Sequence, residues 1–175
     1  MTAALRNWLA FLAALFLPSA VWAQVSELPP AAADDIAGAV TDCWNAVGAS
    51  AVNRASLEAV GWKLLKPDDP KAKPMAKPLS VYARHARQAT ILIPDTATTP
   101  MCSVVARVSV PADLGNAVGT IQKTLVALDP KVKTARDGES IVFVALPKIA
   151  IADDFSSKDK PALRVAVAYQ DPEKK

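Results

Sequence analysis

The spacing of apolar residues changes along this chain, and each spacing predicts an element. The first run, Trp8 to Leu17, is uncharged, follows Arg6 and is broken by Pro18. Val21-Trp22-Ala23 then supplies the small residues that signal peptidase requires at its cleavage point. Residues 1–23 are therefore read as a cleavable secretory signal, with the exported chain beginning at Gln24. An uncleaved anchor is the competing reading, since the charge-free stretch from Asn7 to Ser26 approaches the roughly 20 residues that span a bilayer. Pro18, Ser19 and the polar residues from Gln24 onward weigh against it. No later stretch is long and apolar enough to cross a membrane, so a soluble periplasmic or secreted protein is expected.

Residues 24–33, with Pro29-Pro30, read as an extended leader. Asp34 and Asp35 then favour a helix start, and Ile36, Val40, Cys43, Trp44 and Val47 form a helical stripe that Gly48 should end. A second, short helix is expected with Asn53 as its cap, Leu57 and Val60 inward and Gly61 as its stop. Trp62 to Leu65 reads as a first short strand. From Lys66 to Pro78, prolines at 67, 70, 74 and 78 exclude both helix and inner strand, which leaves an exposed loop.

Leu79 to Arg84 and Gln88 to Pro94 read as a strand pair around His85-Ala86-Arg87, and Asp95 to Pro100 as a loop. The clearest alternation is Cys102 to Val110, with Cys102, Val104, Ala106, Val108 and Val110 on one face. After Pro111 a long helix is predicted from Ala112 to Leu128, with Leu114, Val118, Ile121, Leu125 and Leu128 as its apolar stripe. Gly115 and Gly119 lie four apart on it, a spacing that allows close backbone approach to a sheet. Asp137-Gly138 is a two-residue hairpin signal between Lys131–Arg136 and Glu139–Leu146. Residues 147–161 read as a connection in which Ile149 and Ile151 extend the preceding strand. Leu163, Val165, Val167 and Tyr169 alternate as a last strand, and 170–175 form a polar tail.

The order is two helices, about four strands, one long helix, then three strands. Hairpin-linked strands with few helical crossovers imply an α+β fold: a mainly antiparallel sheet with helices packed on one face. Residues 34–169 would form a single domain. The two strand groups around the long central helix hint at a duplication, although no residue-level repeat accompanies them.

Charge and cysteine content sharpen the picture. Of 20 basic and 17 acidic residues, only Arg6 lies in the signal, so the exported chain is close to balance and gives no reason to expect nucleic acid as a partner. The only two cysteines, Cys43 and Cys102, would sit in a compartment that permits disulfides, and an even count there favours a bond between them. With a single histidine, His85, no metal site is indicated.

Catalytic signatures are missing from the sequence. It holds no nucleophile elbow, no zinc-protease helix motif and no phosphate-cradling glycine loop, and no cofactor is implied. A catalytic relay would have to use His85, which lies between Arg84 and Arg87 with nothing indicated to orient its ring. Asp34-Asp35 and Asp153-Asp154 are the visible acidic pairs; they read as a helix start and a solvated loop. Trp44 and Trp62 read as core rather than a ligand-facing pair.

One segment departs from the even charge distribution. Lys63, Lys66, Lys71, Lys73, Lys77, Arg84 and Arg87 fall within 25 residues, opposed only by Asp68 and Asp69. The bland reading is a loop kept open by proline and lysine. The functional reading is a basic face for an anionic envelope component or an acidic protein, with Lys66, Lys71, Lys73, Lys77, Arg84 and Arg87 as the contacts. Interleaved aromatics are few, which argues against single-stranded nucleic acid. A non-enzymatic binding module is thus the leading expectation. A cell-envelope hydrolase with a carboxylate site, or a purely structural or assembly role, is the alternative.

Overall fold

The computed structural model describes residues 28–65, 79–84, 87–157 and 159–170. Three helices occur there: α1 (Ala33–Ala46), α2 (Arg54–Ala59) and α3 (Ala112–Leu128). Eight strands form one sheet: β1 (Lys63–Leu64), β2 (Leu79–Arg84), β3 (Arg87–Pro94), β4 (Met101–Arg107), β5 (Lys133–Asp137), β6 (Ser140–Ala145), β7 (Lys148–Asp154) and β8 (Ala162–Tyr169). The strand order is β1-β2-β3-β4-β8-β7-β6-β5, and every neighbouring pair is antiparallel. The α+β architecture expected from the pattern is present, with α1 packed on the sheet.

That order is a palindrome. The first four strands meander from one edge to the centre, α3 carries the chain across, and the last four meander from the far edge back. β4 and β8 meet at the middle, where Val104 lies opposite Val165. The first half is thus two helices and the second one helix, each followed by a four-stranded meander.

α1 begins with Asp34 and Asp35 in its first turn, where their charge suits the exposed amides. It buries Ile36, Ala37, Val40, Cys43 and Trp44. It ends at Ala46, before Gly48, because Val47 is already extended and bridges to Val52. Asn53 caps α2 as expected, its side chain accepting from the Ser56 amide at 3.1 Å. Leu57 points inward, but Val60 is exposed, and Gly61 turns the chain at φ +95.

α3 packs against α1 and buries Ala117, Ile121 and Leu125. The last residue of its predicted stripe, Leu128, is 44% exposed, because the helix runs past the core before it ends. The close approach expected at Gly115 and Gly119 does not occur either: a Cβ added at either would meet nothing within 4 Å.

In the sheet, the strongest predicted strand stops at Arg107 and not at Val110. Beyond it the chain leaves β8, with the Val108 amide donating to the Pro161 carbonyl, and Val110 is exposed. The hairpin after α3 is displaced by one residue. Asp137 pairs with Ser140, so Gly138-Glu139 forms the turn, with Gly138 at φ +61. The largest correction is β7. Lys148–Asp154 does not extend the preceding strand; the chain reverses at Leu146-Pro147 and Ala145 pairs with Lys148. Proline occupies this turn, where its missing N–H costs the ladder nothing.

The helix-covered face carries the main core, in which Ile91, Val104, Phe143 and Val165 are fully buried. On the opposite face Leu92 and Val105 form a small second cluster with Leu79, Val81 and Phe155.

Candidate functional site

Three consecutive residues of α1 tie the molecule together. Successive side chains on a helix diverge by about 100°, so Asp42, Cys43 and Trp44 reach three different parts of the sheet. Asp42 accepts a hydrogen bond from Trp62 Nε1 at 3.0 Å and lies 3.7 Å from Arg84 Nη1. Cys43 is bonded to Cys102 of β4 across a Cα separation of 5.8 Å, and both residues are fully buried. The Trp44 carbonyl accepts from Lys148 Nζ at 2.7 Å, and the ammonium lies 6.0 Å from the Trp44 ring centroid. Burial pulls the Lys148 pKa below its ordinary value. Its contact nevertheless satisfies one of the free carbonyls near the end of α1.

A second polar group fastens α2 to the β2–β3 hairpin. Asp95 accepts from Arg54 and, at 2.8 Å, from the Ser80 hydroxyl. Tyr82, buried beside them, has its phenol pKa raised by burial, against the lowering pull of Arg54. A third group sits on the helix-free face. Arg164 and Asp153 are opposite one another in β8 and β7, joined at 2.8 Å, and Ser140 donates to the same carboxylate. The Arg164 guanidinium lies 5.4 Å from the Phe155 ring centroid.

These contacts account for the acidic pairs singled out in the sequence. Asp34 and Asp35 sit at the helix start. Asp153 is held by Arg164 and Ser140, while Asp154 accepts from the Ser156 amide at 2.8 Å in the turn that follows. Adjacent strand residues face opposite sides, so the two carboxylates do not converge. Trp44 and Trp62 are both core. Among the described residues no three of His, Cys, Asp or Glu group as metal ligands, and no helix is long and apolar enough to cross a membrane.

Of the basic segment, Lys66, Lys71, Lys73 and Lys77 lie outside the described residues, as does His85. Arg87 opens β3, and its side chain is likewise outside the description. Arg84 is half-buried and faces Asp42, with its side chain packed over Gly61. Lys63 is exposed on β1. Segment 66–78 lies in sequence between β1 and β2, the two outermost strands of this side among the described residues. Exposed Val60, Leu64 and Leu65 lie on the approach to it.

Sequence reasoning missed the Asp42–Trp62–Arg84 group, whose members lie 20 and more positions apart with no local spacing to connect them. It also missed a shallow cavity of about 410 Å³ between the leader and the start of α3, lined by Pro30, Ala31, Val108, Asp113 and Asn116 among others. The leader is fixed beside it: the Ala31 amide donates to the Arg107 carbonyl, and Arg107 Nη1 donates to the Leu28 carbonyl, both at 2.8 Å. No known family, curated protein or solved structure matches this chain.

Proposed function

We propose that this chain acts outside the cytoplasm as a non-enzymatic binding module whose basic segment, residues 63–87, engages an anionic component of the cell envelope. The observation that carries the reading is the place of segment 66–78 in the chain, between β1 and β2, the outermost strands of that side among the described residues. A partner met at that edge need not disturb the core, and residues 63–87 concentrate seven cations against two carboxylates. Exposed Lys63, Leu64 and Leu65 at the root add charge and apolar surface of the kind that contacts an anionic interface. The disulfide suits an oxidising compartment and supports the localisation.

Reversing Lys71, Lys73 and Lys77 together to Glu is expected to weaken sedimentation with anionic lipid vesicles and retention on an anionic polysaccharide. The loss should be largest at low salt, because exposed charges are screened within about 10 Å at 0.1 M. Salt-insensitive or absent binding by the unaltered protein would overturn this reading of the basic segment. The localisation has its own check. Mass spectrometry of protein recovered from the producing cell is expected to place its first residue at Gln24, and an intact Met1–Ala23 segment would refute export with cleavage.

A further inference from the structure

At the far edge from β1, the sheet ends on β5, Lys133–Asp137, whose first four residues are exposed. Its inner side pairs with β6, and among the described residues nothing pairs with its outer side. The turn fixes which backbone groups face outward. Asp137 and Ser140 close the two-residue turn, and such a turn is closed by a hydrogen-bonded pair. Hydrogen-bonded and non-bonded pairs then alternate along an antiparallel ladder. Asp137, Ala135 and Lys133 therefore direct their amides and carbonyls at β6, while those of Thr134 and Arg136 point away from the sheet.

We propose that β5 is a self-association edge, which pairs antiparallel with β5 of a second copy in the register centred on Ala135. That register sets Thr134 opposite Arg136 of the other copy, so the outward backbone groups of both chains meet. It also sets Lys133 opposite Asp137 twice, on the same face of the sheet and at the closely spaced non-bonded positions. The neighbouring registers of the same phase are worse. Centring on Arg136 opposes arginine to arginine, and centring on Thr134 sets Lys133 opposite Ala135 and leaves Asp137 opposite Lys131, which lies outside the strand. The flanking charges repeat the sense of the pattern, with Lys131 before the strand and Glu139 after it. Lysine on a free edge ordinarily deters pairing; here Asp137 converts that deterrent into self-complementarity.

The interface is small, five residues a side with their surroundings, so weak association at micromolar concentration is expected. It does not rest on the function proposed above, because β5 and β1 are opposite edges. A pair formed this way has sixteen strands and sets the two β1 strands roughly 70 Å apart at about 4.8 Å per strand.

Sedimentation velocity of the exported chain over micromolar concentrations provides the test. The unaltered protein should show a concentration-dependent monomer–dimer equilibrium. Lys133→Asp and Asp137→Lys, each alone, oppose like charges at both contacts and should weaken it about tenfold or more. Mixing the two variants should restore association, since each then supplies the charge that the other lacks. The double variant K133D/D137K should associate as the unaltered protein does. A protein that stays monomeric overturns the proposal, and so does a dimer indifferent to these charges or variants that fail to rescue one another. Both side chains are on the rim of the fold, and matching circular dichroism spectra would confirm that the variants are folded.

Discussion

Replacing Cys43 and Cys102 together with Ala is expected to lower the melting temperature by roughly 8–16 °C while leaving the far-ultraviolet circular dichroism spectrum unchanged in shape. The bond spans 59 positions. Closing a loop of that length removes about 4 kcal/mol of chain entropy from the unfolded state. Set against a total stability of roughly 5–15 kcal/mol, that is a large share. Yet the bond is not the sole contact between α1 and the sheet, because Ile36, Val40 and Trp44 of the same helix are buried too. The fold should persist and the midpoint should fall. Differential scanning calorimetry with and without reductant gives the same comparison on the unaltered chain. Equal midpoints in both would mean that the bridge contributes nothing.

Trp62 carries the other large effect. Its ring is 1% exposed, and its Nε1 donates to Asp42. Trp62→Ala removes one of the largest buried side chains and should cost about 3–5 kcal/mol, the range for deleting a buried aromatic ring. Trp62→Phe keeps most of the apolar volume and removes the donor. It should cost about 1–2 kcal/mol, with Asp42 still 3.7 Å from Arg84. Urea denaturation midpoints separate the two variants. If Trp62→Ala costs no more than Trp62→Phe, the buried ring contributes nothing beyond its hydrogen bond to Asp42.

The elements whose periodicity is long were legible in the sequence, and their limits were not. Ile121 and Leu125 could be placed inward from spacing alone, and so could Val104 and Ala106. Spacing says which residues share a face. It does not say where the element opposite that face ends, so Val60, Val110 and Leu128 continue their patterns into solvent. β7 was hidden for another reason: Pro147 is a breaker signal in a one-dimensional reading, yet a two-residue turn accommodates it. The disulfide was legible because two cysteines allow one intramolecular pairing. Of the candidate binding residues, Arg84 was grouped with its neighbours by charge. Its engagement with Asp42, on an element 42 positions earlier, depends on packing that no local pattern encodes.

The palindromic strand order also sets a timetable. Chains are made N-terminus first, at about 5–20 residues per second, so β4 is complete while β8 is still to come. From Arg107 to Tyr169 that interval is roughly 3–12 s, whereas a hairpin such as β3–β4 forms in about 1–10 μs. Throughout the wait, β4 offers an unpaired edge whose inner residues, Cys102 to Ala106, are uncharged and become buried on both faces in the finished sheet. Such a segment has the composition that drives strand-to-strand aggregation. The demand for a chaperone that grips extended chain is therefore concentrated in those seconds, and it ends when β8 closes the seam.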